Sequence, residues 1–219
     1  MFAVIFEVQP RAGQWEAYLG YGRMLRPELE RIEGFVDNVR YRSLTREGLL
    51  VSLSSWRDEK SVIRWRTHAR HHEAQEAGRQ GILADYHLRV GEITLDTHLP
   101  AGHALRQQRL DTTEVGHGTA VSLTTASVAP QRAVDEAPAA LGRHLGLDPE
   151  ADGLVAWDLF DAVLTPGDLV LLRTWRDEGA AQEGMRTTPA TAAARTRCVR
   201  VVRDYGMFDR REAPQFYPS

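Results

Sequence analysis

The sequence predicts an α+β protein: two tandem ferredoxin-like β-α-β-β-α-β modules packed as a pseudo-two-fold dimeric α+β barrel within one chain. Three observations lead there. The tetrapeptide Trp-Arg-Asp-Glu stands at 56–59 and again at 175–178, an offset of 119 residues. The same offset carries Gly34 onto Gly153, Gly48 onto Gly167, and Leu50, Val51 and Leu53 onto Leu169, Val170 and Leu172. It also lands Asp85-Tyr86 on Asp204-Tyr205 without a gap. A period of this length marks a repeated structural unit. Within each unit the hydrophobic spacing switches between two and three-to-four residues in the order strand, helix, strand, strand, helix, strand.

Each element has its own signal. Phe2, Val4, Phe6 and Val8 alternate with Ala3, Ile5, Glu7 and Gln9, which predicts a strand that Pro10 and Gly13 end. Trp15, Leu19, Gly22, Leu25, Leu29 and Ile32 form one stripe of an amphipathic helix, with Gly34 placed as its C-terminal cap. Residues 35–44 and 49–56 read as strands of a hairpin turning through Thr45-Arg46-Glu47-Gly48. Asp58 and Glu59 suit the positive end of a second helix carrying Val62, Ile63 and Trp65, and residues 86–95 return to strand. The second unit repeats the plan: a strand at 119–128, and a helix at 131–145 after Pro130. A hairpin turns around Pro166-Gly167, a helix starts from about 177, and a strand follows at 197–205. The modules are assigned to 1–95 and 119–219, the latter degenerate and ending in an arm. Residues 96–118, without periodicity, form the linker. Met207, Phe208, Phe216 and Tyr217 make that arm too apolar to hang free, and it is expected to lie across the other module. A ferredoxin-like sheet has helices on one face only, so two such sheets are expected to cover each other, an internal isologous pseudo-dimer.

Composition narrows the function. Of 219 residues, 42% are hydrophobic and 26% charged, with a net charge of −3, which gives no general attraction to nucleic acid or an anionic membrane. The single cysteine, Cys198, forms no intrachain disulfide and no cysteine-based metal cage; it reads as a small buried hydrophobe in a strand. The start, Met1-Phe2-Ala3-Val4-Ile5-Phe6-Glu7, lacks a basic region, and no apolar run approaches the roughly 20 residues of a membrane span, so a cytoplasmic protein is expected. No Gly-rich loop follows a strand to hold a nucleotide.

The run Trp56-Arg-Asp-Glu, then Trp65-Arg-Thr-His68-Ala-Arg-His71-His72-Glu-Ala-Gln75-Glu-Ala-Gly78-Arg79, then Asp85-Tyr86, resembles the antibiotic biosynthesis monooxygenase family. The likeness spans the first module and, more faintly, the second. It implies the dimeric α+β barrel and an oxygenase of aromatic polyketides or quinols acting with molecular oxygen. Haem-degrading members place a histidine about ten residues after the helix tryptophan, where this chain has Gln75, so haem is not expected; His71 or His72 could substitute only with a helix shift.

The two modules serve as controls for each other. Adding 119 to Trp65, His68, His71, His72 and Gln75 gives Gly184, Thr187, Ala190, Thr191 and Ala194, so the polar and aromatic set is confined to the first module. On one helix, Trp65, His68, His72 and Gln75 would share a face, with His71 turned aside. His68 is the expected general base, and Trp65 the apolar wall. Asn38 and Arg40 share one face of a strand and become Trp157 and Leu159 in the second module; they are expected to hold a substrate carbonyl or an oxygen anion. Trp56 and Tyr86 join His71, His72, Gln75 and Arg40 as substrate-contact candidates, although their retention as Trp175 and Tyr205 also suits structural anchors. Asp58 and Asp177 read as helix caps. The spacing His68-x-x-x-His72 fits two metal ligands but brings no third, so no metal is assigned.

The expected function is therefore oxygenation of a polycyclic aromatic polyketide or quinol, as hydroxylation, quinone formation or ring opening. No bound cofactor is needed, or else reduced flavin arrives from a separate flavin reductase. A non-redox cyclase or isomerase and a hydrophobic-ligand-binding module are the alternatives. A homodimer of whole chains is also allowed.

Overall fold

A computed structural model of the chain describes residues 1–188 and 190–214. The first module runs β1 (Phe2–Pro10), α1 (Trp15–Glu30), β2 (Phe35–Ser43), β3 (Leu50–Trp56), α2 (Glu59–Arg66), α3 (Ala69–Ala77), a π-helical turn (Gly78–Ile82) and β4 (Leu83–Asp96). The second runs β5 (Ala120–Ser127), α4 (Pro130–Asp135), α5 (Pro138–His144), β6 (Leu154–Ala162), β7 (Asp168–Trp175), α6 (Glu178–Thr187) and β8 (Arg195–Gly206). All eight strands close one antiparallel barrel in the order β1-β3-β2-β6-β7-β5-β8-β4. Each module contributes four strands in the ferredoxin-like arrangement. The seams are a long β4–β8 ladder from His87↔Gly206 to Asp96↔Arg197 and a short β2–β6 ladder from Tyr41↔Ala162 to Ser43↔Phe160.

Alternation along the strands sorts side chains to the two surfaces of the barrel. Ala3, Ile5, Val51, Leu53 and Ile93 meet Val121, Leu123, Val170, Leu172, Val199 and Val201 inside it as one core shared by both modules. A polar cluster lies at one end of that interior. Glu7 pairs with Arg89 at 2.6 Å and Arg46 at 2.7 Å, and Arg46 reaches Asp158 of the second module at 2.7 Å. His87 bridges Glu7 and Asp204. Burial pushes the His87 imidazole down, but Asp204 and Glu7 outweigh it and raise it to about 9. Burial likewise pushes the Glu7 carboxyl up, and Arg89, His87 and Arg46 together hold it well below the usual range.

The turns and caps explain what the repeat preserves. Gly34 has φ +88° and Gly153 φ +76°, and a Cβ on Gly34 would sit 2.0 Å from Ser61 Oγ, so only glycine fits in the turn before β2; the cap of α1, expected at Gly34, is Arg31. Asp58 accepts from the Ser61 amide and Asp177 from the Ala180 amide, both at 2.8 Å, capping α2 and α6. Cys198 is buried in β8.

Several expectations are corrected. The single helix at 131–145 is two, because Pro138 lacks an N–H and forces Ala137 into extended conformation (ψ 137°). The second helix of the first module also breaks: His68 is extended (ψ 128°) and α3 starts afresh at Ala69. The 119-residue offset holds for β2 and β3 but not for the last strand. Glu92 lies opposite Phe2, and Arg200 lies opposite Ala120 at the matching point of the second module, so β4 and β8 are related by 108 residues. Asp85-Tyr86 opens β4 while Asp204-Tyr205 lies near the end of β8, and the dipeptides are not equivalent in the fold. The shorter offset reflects the lack of a counterpart to α3 and the π-helical turn after α6. In the arm, Met207 and Ala213 pack with Val8, Leu50, Leu83 and Tyr86 of the first module. Phe208 is exposed, and Phe216 and Tyr217 lie outside the described residues.

Ending the chain at Leu95 would strip both seams and bare the interior face of Ala3, Ile5, Val51 and Leu53. Light scattering should find that fragment dimeric or aggregated, since apolar patches of this kind drive association. A stable monomer would show that the half-barrel does not need its partner.

Candidate active site

The outer face of the first half-sheet and the helices α1, α2 and α3 enclose a cavity of about 580 Å³, a size suited to a small organic ligand. Val4, Phe6, Leu88 and Val90 of the sheet and Leu25, Leu29 and Val62 of the helices give it apolar walls. Tyr205 and Arg203 of β8 also line it, so the second module completes the site across the long seam. Arg210 and Pro214 of the arm close one side, and Arg210 Nη1 donates to the Tyr86 hydroxyl at 2.5 Å.

The break at His68 rearranges the histidines. His71, expected to turn aside, lines the cavity; its ring stacks on Trp65 with centroids 4.2 Å apart and planes 13° from parallel. His68, the expected base, is absent from the cavity wall. It stacks behind Trp65 at 5.7 Å and lies 3.9 Å from Glu28. Trp65, His72 and Gln75 line the cavity. Trp56 does not: it is fully buried, its indole N–H donates to Ser54 Oγ at 2.9 Å, and it packs edge-on to Phe35. Its position is that of a core anchor, whose truncation to alanine costs about 3–5 kcal/mol in typical cores. Tyr86 lines the cavity, tilted against Phe6.

The chemistry of His71 follows from its contacts. Nδ1 lies 2.9 Å from the Trp65 carbonyl oxygen. A carbonyl only accepts, so Nδ1 carries the proton and Nε2 keeps its lone pair. Burial pushes the imidazole down to about 4, against the opposing hydrogen bond to Trp65. Near neutral pH this is a neutral, oriented base.

Asn38 and Arg40 both face the cavity from β2. Both Asn38 amide hydrogens are engaged, on Ser52 Oγ at 2.9 Å and the Leu53 carbonyl at 3.2 Å, so Asn38 has no donor left for an oxygen anion. Arg40 is different. Its guanidinium lies against Gly22, where a Cβ would come within 2.6 Å of Cζ, and its buried Nε has no partner. Arg26, Arg66, Arg79, Arg203 and Arg210 also line the cavity; Arg26 is paired with Glu30 at 2.7 Å, and the lining carboxylate Glu59 is held by Arg109 at 2.9 Å. No sequence motif marked this positive lining; the arginines come from five elements and the arm.

Among the described residues no group of three or more His, Cys, Asp or Glu could hold a metal ion. Gln75, at the position of the haem ligand in the resembling members, carries an amide unsuited to axial ligation of iron, and His71 and His72 line the same cavity. No helix among the described residues is long and apolar enough to cross a membrane.

The model of the antibiotic biosynthesis monooxygenase family matches residues 1–77. A protein named jasmonate monooxygenase ABM, from Pyricularia oryzae, is 47% identical over 223 residues, covering 100% of this chain and 99% of that one. The chain belongs to the antibiotic biosynthesis monooxygenase family. It is an enzyme of the monooxygenase type. Among solved structures, an aldoxime dehydratase in complex with butyraldoxime aligns with a TM-score of 0.57 at 11% identity, over 91% of this chain and 79% of that one; the two share a fold. An anthrone oxidase-like protein aligns over 98% and 96% of the two chains at 12% identity and a TM-score of 0.35.

A buried neutral histidine leaves a signature in this family member's stability. The unfolded chain takes up a proton near pH 6.5, whereas His71 in the fold resists down to about 4, so stability should fall as pH drops through that window. Thermal melts between pH 7 and 5, above most carboxylate titrations, should show a shallower decline for His71→Gln than for the wild type. Parallel curves would mean that His71 titrates normally.

Proposed function

We propose that this monooxygenase acts on a small cyclic molecule with an apolar body and one anionic group, a description that fits jasmonate, a cyclopentanone with a carboxylate arm. The observation that carries this reading is the charge of the first cavity: apolar walls, arginines from several directions, and Arg40 with an unpartnered buried Nε. A guanidinium is matched to a carboxylate by shape as well as charge. The name of the 47% identical relative supports the same substrate class.

In this reading Arg40 anchors the carboxylate, Trp65 and Leu88 hold the ring, and His71 Nε2 takes a proton from the substrate as oxygen adds. Inserting one atom of dioxygen into a C–H bond leaves the other as water and consumes two electrons and two protons. A cyclopentanone carboxylate does not supply those electrons, so reduced flavin from a separate reductase is the proposed donor. A second reading, oxygenation of an aromatic polyketide or quinol, is favoured by the flat Trp65–His71 stack, which offers an extended face to a fused ring system. There the substrate is its own reductant: a ring methylene becomes a carbonyl, dioxygen is consumed, and one water leaves.

Oxygen uptake separates the two. Consumption with jasmonate and reduced flavin, beyond the flavin's own oxidation and with hydroxylated product, supports the first; consumption with an anthrone and no reductant supports the second. In either case His71→Ala should lower turnover by about 10²–10⁴-fold, the scale of a lost acid–base group, while His68→Ala stays near wild type. Arg40→Met should raise KM for a carboxylate substrate more than it lowers kcat. Full activity in His71→Ala with loss in His68→Ala would return the base to His68.

A further inference from the structure

The pseudo-two-fold axis carries the first cavity onto a second one. Ser54 lies opposite Asn38, and Arg173 lies opposite Trp157 at the equivalent point. Leu88 pairs with Phe6 and with Tyr205; its counterpart Thr196 pairs with Thr124 and accepts from the Thr97 amide. A cavity of about 460 Å³ lies at this place, beside α6. Its lining has changed character. Where the first cavity has Leu88 and Tyr205, the second has Thr196 and Thr97, and the floor position of Ser54 is Arg173.

Arg173 is 1% exposed, yet among the described residues no carboxylate pairs with it. Nη1 donates to the Gly146 carbonyl, Nη2 lies 3.4 Å from Thr124 Oγ1, and the guanidinium sits 5.4 Å over the Trp175 ring. Nε has no partner. None of these neighbours carries a negative charge, and burial alone pulls the group down to about 10. Arg186, the other arginine at this cavity, is spent on Glu183 at 2.6 Å. A buried cation without a counter-charge is costly unless something anionic joins it.

We propose that the second cavity is an anion site, distinct from the substrate cavity, that binds a small oxyanion or the carboxylate or phosphate end of a small molecule on Arg173. Thr191 and Thr196 line the same space and supply hydroxyl donors. The site is independent of the substrate assigned to the first cavity.

Inorganic phosphate and acetate serve as the probes, each compared with chloride at matched ionic strength, by thermal melting and calorimetric titration of the full chain. At least one oxyanion should raise the melting temperature of the wild type. Measured in the Arg40→Met background, which removes the first cavity's proposed carboxylate anchor, its dissociation constant should weaken by about ten-fold or more when Arg173→Met is added, the scale of a lost charged hydrogen bond. Preference for phosphate or for acetate tells which anionic end the site takes. If Arg173→Met does not fold, Ala190→Trp fills the cavity while keeping the arginine and should give the same loss. No response from the wild type to either anion overturns the proposal. So does full binding when Arg173→Met or Ala190→Trp is added to Arg40→Met, or loss of all binding in Arg40→Met alone, which would put the anion in the first cavity.

Discussion

Each four-stranded half-sheet is apolar on both surfaces but has helices for only one. Phe2, Val90 and Trp56 pack under helices on one side, while Ala3, Ile5, Val51 and Leu53 on the other would meet water. Closing two half-sheets into one barrel buries the second surface of both and leaves no free strand edge. The rest of the molecule follows from that closure. The interior holds the core shared by both modules, and the two cavities lie outside it, on the helix-bearing surfaces. The long β4–β8 seam then brings Tyr205 and Arg203 of one module to the cavity of the other.

The symmetry of the strands is not matched by the helices. In the first module α3 and the π-helical turn extend the roof, and the floor beneath is polar at Asn38, Arg40 and Ser52. In the second, Leu159 and Leu171 stand at the places of Arg40 and Ser52 and pack against Leu141, Leu145 and Leu147, closing that end with apolar core. The space that survives lies at the other end, over Arg173. The two halves of one barrel thus enclose different chemistry: a large apolar cavity edged with arginines, and a smaller hydroxyl-lined one over a buried cation.

Much of the fold was legible in the sequence because its signals are local. Period-two and period-three-to-four spacing marked the strands and α1, and the glycines with positive φ and the capping aspartates repeated wherever the hairpins and helix starts did. The break at His68 was not legible. Neither proline nor glycine stands there, and it accompanies the stacking of His68 and His71 on Trp65, a contact that linear spacing does not encode. That one break exchanged His71 for His68 in the cavity wall. The change of offset from 119 to 108 was hidden by a chance second Asp-Tyr pair. The positive lining escaped notice because Arg26, Arg40, Arg66, Arg79, Arg203 and Arg210 are scattered along the chain and gathered only by the barrel.

In the proposed function the first cavity, with Arg40 and the Trp65–His71 stack, receives the substrate. The most direct measurement is a crystal structure of the chain soaked with jasmonate under anaerobic conditions. The carboxylate should lie within hydrogen-bond reach of Arg40, with the ring against Trp65 and His71. Ligand bound only over Arg173, or outside both cavities while Arg40 keeps its present contacts, would contradict the claim.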